Sequence, residues 1–61
     1  MKDRRLKVAR VAAGLTQMDV AQSAGVSEAL ISKYETRRLT PPRGVQEKIA
    51  ARLGVCRWEV F

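Results

Sequence analysis

Five neighbouring residues, Ser27, Glu28, Ala29, Ser32 and Lys33, carry the side chains with most to offer another molecule. On a helix turning ~100° per residue, Ser32 lies about 40°, Ala29 about 100° and Lys33 about 140° from Glu28. Leu30, Ile31 and Tyr34 fall on the opposite side, between about 200° and 300°. Such a helix packs one face and offers the other. Glu28 can accept a hydrogen bond from an exocyclic amine such as cytosine N4, Lys33 can donate to guanine, and the Ala29 methyl can meet a thymine methyl. A lone Glu facing a polyanion is unfavourable without such a partner, so Glu28 is either a specificity residue or turned away. The competing reading of the whole face is a plain solvated surface, which most amphipathic helices have.

Other chemistry is poorly supplied. There is no His, which removes the usual general base and nearly every zinc pattern. The carboxylates are scattered, and no Gly-rich phosphate loop is present, so no catalytic residue, metal ligand or cofactor site is expected and the chain reads as a non-enzyme. Cys56 is the single cysteine, which excludes an internal disulfide. It reads as a small buried or half-buried residue. Twelve Lys and Arg against six Asp and Glu leave a net charge of +6 and a pI near 10.5. That balance favours polyanions, namely DNA, RNA or an anionic membrane face. The apolar stretches are far shorter than the ~20 residues that span a bilayer. The start does not read as a signal peptide, so a reducing, cytoplasmic setting without a membrane partner is expected.

The elements that would position these residues are short helices. At 61 residues the chain is expected to be one domain, residues 1–61, with a small core and no room for a cleft with a closing lid. Asp3 can cap a first helix bearing Leu6, Ala9 and Ala13 on one stripe, with Lys7 and Arg10 elsewhere and Gly14 ending it. Thr16 caps a second, with Asp19 in a capping box and Val20, Ala21 and Ala24 inward. Gly25 stops it, and Ser27 caps a third over residues 28–35. Thr40, Pro41 and Pro42 break the chain. A fourth helix carries Val45, Ile49 and Leu53 and ends at Gly54, its start weakened by Gly44 so that it begins later than Pro42 suggests. Residues 55–61 have room for one more turn. The expected architecture is all-α, a bundle of about five short helices.

Residues 17–38 meet the demands of a helix-turn-helix. Two short helices that cross closely need a small residue between them, which Ala21 supplies, and their turn needs a residue tolerant of positive φ, which Gly25 supplies. Val20, Ala24, Val26, Ile31 and Tyr34 give the shared core. Seven positions satisfy the geometry together.

The run Gly14-Leu15-Thr16-Gln17, then Ala21, Gly25-Val26-Ser27, Ile31-Ser32, Tyr34-Glu35, Ala50 and Leu53-Gly54-Val55 resembles the phage-repressor (Cro/repressor-like, XRE-type) helix-turn-helix family, across residues 6–61. The resemblance implies a lambda-repressor-like five-helix fold and a regulator, mostly a repressor, that binds a near-palindromic operator in double-stranded DNA as a homodimer. It implies that Gln17 hydrogen-bonds a phosphate and buttresses the third helix, and that Ser27, Glu28, Ala29, Ser32 and Lys33 face base edges or adjacent phosphates. Arg10 is implied to pair with Glu35 while facing the DNA backbone, or to be only a structural ion pair. Arg37 and Arg38 lie in the loop implied to grip a phosphate. Thr36-Arg37-Arg38 stands where the family has a Gly or Asn, so a different chain path is expected there. Lys2, Arg4 and Arg5 are either an arm touching phosphate or a solvated end. Trp58, Val60 and Phe61 either pack on the fourth helix or form a dimer contact. The alternative function is an antitoxin-like or adaptor protein whose main partner is another protein.

Overall fold

Capping chemistry sets where the helices begin and end in the computed structural model, which describes residues 4–61. The order is α1 (Arg5–Ala12), α2 (Gln17–Ala24), α3 (Glu28–Glu35), α4 (Arg43–Leu53) and α5 (Arg57–Val60). No strand occurs among the described residues, and none of the helices is long and apolar enough to cross a membrane.

Thr16 caps α2 as read. Its hydroxyl accepts the Asp19 backbone N–H at 3.1 Å, and the Asp19 carboxylate accepts the Thr16 N–H at 2.9 Å. Two donors that the helix leaves unmatched are thereby satisfied reciprocally. Ser27 caps α3 with a single bond of this kind, accepting the Leu30 N–H at 3.2 Å. Gly25 closes α2 at φ 70°. An added Cβ there would meet no neighbouring atom, so the demand on this position is purely backbone conformation.

The core gathers Leu6 from α1, Val20, Ala21 and Ala24 from α2, Ile31 and Tyr34 from α3, Ile49 and Leu53 from α4 and Val60 from α5. Ala21 and Ala24 are small enough to let α2 serve as the hub that touches both α3 and α4. Val26, Leu30 and Val45 pack around it half-buried.

Several expectations are corrected. Asp3 and Lys2 lie outside the described residues; the position before α1 is held by Arg4, with no side-chain cap. Ala13 is exposed, because α1 ends a residue earlier and Ala13 no longer shares the stripe of Leu6 and Ala9. α4 begins at Arg43, directly after Pro42, in spite of Gly44. Gln46 compensates by tying the first turn down: its N–H bonds the Pro42 carbonyl and its side-chain amide the Pro41 carbonyl, both at 2.9 Å. Trp58 does not pack on α4 but is 70% exposed. It stands two residues, about 200°, from Val60 on a one-turn helix, and Val60 occupies the inward side. Cys56 is exposed, at the capping position of α5, where its N–H donates to the Glu59 carboxylate.

Candidate nucleic-acid interface

The outward side of α3 forms as the projection requires. Ser27, Glu28, Ala29, Ser32 and Lys33 are all exposed, while Ile31, Tyr34 and Glu35 are buried and Leu30 is half-buried. No salt bridge or side-chain hydrogen bond holds Glu28 or Lys33 among the described residues, so both heads stay available for another molecule.

What fixes the aim of this face lies behind it. Glu35 is only 5% exposed. A buried carboxylate needs partners for its charge and its lone pairs. Arg10 of α1 supplies both, donating from Nε to one carboxylate oxygen while its NH1 reaches the Leu15 carbonyl at 2.8 Å. Gln17 of α2 donates from Nε2 to the other oxygen at 3.0 Å. Three helices thus meet at one carboxylate, and the last turn of α3 cannot rotate without breaking an ion pair. The arrangement also sets the Gln17 amide, since turning it over would oppose its oxygen to the carboxylate.

The predicted site residues therefore divide. Gln17 sits half-buried at the start of α2, with its amide on Glu35. Arg10 is largely interior, its side chain 11% exposed, and its pairing with Glu35 is a feature of the structure. Arg38 is exposed in the loop after α3. Arg37 turns away, donating from NH2 to the Val60 carbonyl of α5 at 3.1 Å, and its backbone takes φ 63°. Arg37 adopts the left-handed conformation that Gly or Asn adopts more easily, so the turn is made without the residue type that favours it. The sequence reading missed this clip, since nothing in a run of two arginines shows which one faces inward.

Charge around the face is one-sided. Arg4 and Lys7 of the first helical turns, with Lys33 and Arg38, outnumber Glu28 on the exposed residues of this region. A helix with a free polar face, two helix starts at Gln17 and Ser27 and surrounding cations has the parts that meet phosphate and base edges. The helix-turn-helix domain family matches residues 4–60. The chain belongs to that family. Its helix-turn-helix is a DNA-binding unit of transcription regulation, and the partner it takes is double-stranded DNA.

Solved structures agree on the fold. The chain is similar to the restriction-modification controller protein C.AhdI from Aeromonas hydrophila, with 25% identity, a TM-score of 0.86 and coverage of 97% of this chain and 89% of that one. It is also similar to the hypothetical transcription factor NHTF from Neisseria, at 29% identity and a TM-score of 0.79; the match covers 90% of this chain and 62% of that one. No curated protein matches the sequence.

Proposed function

We propose that this chain is a repressor of the phage-repressor-like branch of its family, binding a near-palindromic operator as a homodimer with α3 in the major groove. The observation that carries the reading is the division of α3. One side is locked to α1 and α2 through Glu35, and the other holds Ser27, Glu28, Ala29, Ser32 and Lys33 free in solvent. The major groove admits a helix and displays a different donor and acceptor pattern for each base pair. Ser32, Lys33 and Glu28 read base edges, Ala29 meets a thymine methyl, and Ser27 and Gln17 hold phosphates at the two helix starts. Arg38 adds salt-dependent attraction from the loop. Arg10 acts by keeping Glu35 and α3 in place, and Arg37 adds charge while anchoring the loop to α5. The chain works by occupying DNA, without catalysis or a cofactor, in the cytoplasm and as the single domain 1–61.

A module of this size covers ~600–1,000 Å² on DNA, so two copies on half-sites about 34 Å apart raise affinity to a useful level. The names of the two similar proteins, a controller and a transcription factor, support a regulator. A protein partner in place of DNA has one feature in its favour, the exposed apolar Val8, Val11 and Trp58. Those residues serve equally as the contact between two copies. Selection of bound duplexes from a random pool tests the reading. The expected product is a site with two-fold symmetry, its half-sites about one helical turn apart, and Ser32→Ala with Lys33→Ala abolishes the preference. A selected site lacking two-fold symmetry rules out the symmetric dimer.

A further inference from the structure

α1 turns a mixed face to solvent. Arg4, Lys7, Val8 and Val11 fall within about 100° of one another when projected on a helix, and Leu6, the residue that α1 buries, lies about 200° from Arg4. Val8 is 65% exposed and Val11 59%, and Ala12, exposed as well, extends the apolar end. Among the described residues Arg4 and Lys7 hold no ion pair or side-chain hydrogen bond. No acidic residue occurs over residues 4–13. Neither half of this face serves the helix itself. Cations at a helix start oppose its dipole, and the first turn of α1 has no acid to offset them. Valine at an exposed helical position forms helix less readily than alanine, leucine or lysine. The shape is that of a helix-packing surface. Arg4, Val8 and Ala12 make one row at intervals of four, Lys7 and Val11 make the next, and the groove between two such rows takes a ridge of another helix.

We infer that this face docks an acidic amphipathic helix of another protein, whose apolar side chains cover Val8 and Val11 while its carboxylates meet Arg4 and Lys7. The inference goes beyond DNA binding and does not depend on it. Charge complementarity selects the occupant. A second copy fits badly through α1. Side by side in parallel, two such helices set cations against cations, and antiparallel they set cations against valines. The chain has no acidic and apolar stripe to offer in exchange. Its exposed carboxylates, Glu28, Glu47 and Glu59, stand on three different helices, and Glu47 is paired with Arg43 and Glu59 with the Cys56 N–H. DNA accounts for the cations but not for the valines, because a phosphate backbone gives them no apolar cover.

Selection from a library of random peptides on the full chain tests this, with Val8→Ser plus Val11→Ser as one comparison variant and Lys7→Glu as another. All three side chains are exposed, and matching far-ultraviolet dichroism verifies both folds. The expected peptides combine Asp or Glu with large apolar residues at spacings of three and four. Each binds about tenfold or more weakly to either variant, through lost apolar cover in one and charge repulsion in the other. In the wild type it moves the methyl resonances of Val8 and Val11. A selection that returns no acidic and apolar peptide, or only peptides that bind both variants as tightly as wild type, overturns the inference. Wild-type dimers in sedimentation that the valine variant abolishes also overturn it, by giving the face to a second copy. Movement of the two valine methyls with duplex and with no peptide overturns it by giving the face to DNA.

Discussion

The two ends of this molecule are tied by different chemistry. At the α1–α2–α3 end a single buried carboxylate, Glu35, collects an arginine from one helix and an amide from another. At the α4–α5 end the ties are made to backbone carbonyls and to a neutral amide. Gln46 bonds the Pro41 carbonyl, Arg57 donates to the Gln46 amide oxygen at 2.9 Å, and Arg37 donates to the Val60 carbonyl. A buried ion pair is costly to assemble and more costly to break, so it holds one geometry against alternatives. Carbonyl clips are individually weaker and tolerate adjustment. The stiff attachment stands behind the face proposed to meet DNA. The softer one stands behind Trp58, the most exposed large apolar side chain among the described residues. Directional rigidity is concentrated where the orientation of α3 matters.

Removing one partner of each tie exposes the difference. Glu35→Ala leaves Arg10, its side chain 11% exposed, without its counter-charge. Loss of a partner from a buried pair costs about 3 kcal/mol or more, a large share of what a small domain has. Urea unfolding measures it, and Arg10→Met with Glu35→Leu is expected to recover much of the loss, because the stranded charge goes too. A cost below about 1 kcal/mol for Glu35→Ala would erase the distinction between the two ends. Gln46→Ala removes the bond to the Pro41 carbonyl and the acceptor for Arg57 together. The expected cost is about 1–2 kcal/mol, smaller than at Glu35 because no net charge is stranded. The same unfolding series checks the ranking, and a Gln46→Ala cost exceeding that of Glu35→Ala would invert the comparison.

The sequence made the first end legible and the second only in outline. Thr16, Asp19, Gly25 and Ser27 act on residues at most three positions away, so their roles follow from local order alone. The split of α3 follows from helical periodicity for the same reason. The pairing of Arg10 with Glu35 spans 25 positions and came from family resemblance, since no local rule selects one arginine among many. The C-terminal part was harder because α5 has a single turn. On so short a helix only one apolar residue can take the core, and Trp58, Val60 and Phe61 are all plausible occupants. Val60 wins, Phe61 is half-buried, and Trp58 is left outside. A cleft beside α3 is lined by Arg4, Lys7, Gln17 and Thr36, from three separate stretches, and no spacing rule brings them together.

Two glycines sharpen the contrast at a smaller scale. Gly25 lies at φ 70° with open space around its Cα, so Gly25→Ala meets no clash and pays only for the backbone, about 1 kcal/mol. Gly44 lies within the first turn of α4 without a positive φ and with open space as well. Gly44→Ala is therefore expected to stabilise, by about 0.4–1 kcal/mol, mainly by narrowing the unfolded ensemble. Thermal melts of the two variants should shift in opposite directions, and a shared direction would show that more than backbone preference decides these sites.

The smallest effect concerns acid. The Asp19 carboxyl lies below its ordinary value of 3.8, first because it accepts the Thr16 backbone N–H, then because of the Thr16 side chain. A depressed carboxylate stabilises the fold above its unfolded value and loses that contribution as pH falls through the folded one. The cap at the start of α2 is thus at full strength above about pH 5 and fails only in stronger acid. Asp19→Asn keeps an acceptor oxygen but removes the charge that favours a helix N-terminus. Unfolding of wild type and Asp19→Asn, compared across pH, should show a gap that is constant near neutrality and closes below 3.8. A gap that persists unchanged in acid would mean that the carboxylate charge contributes nothing to the cap, leaving the Thr16 hydroxyl to hold the start of α2.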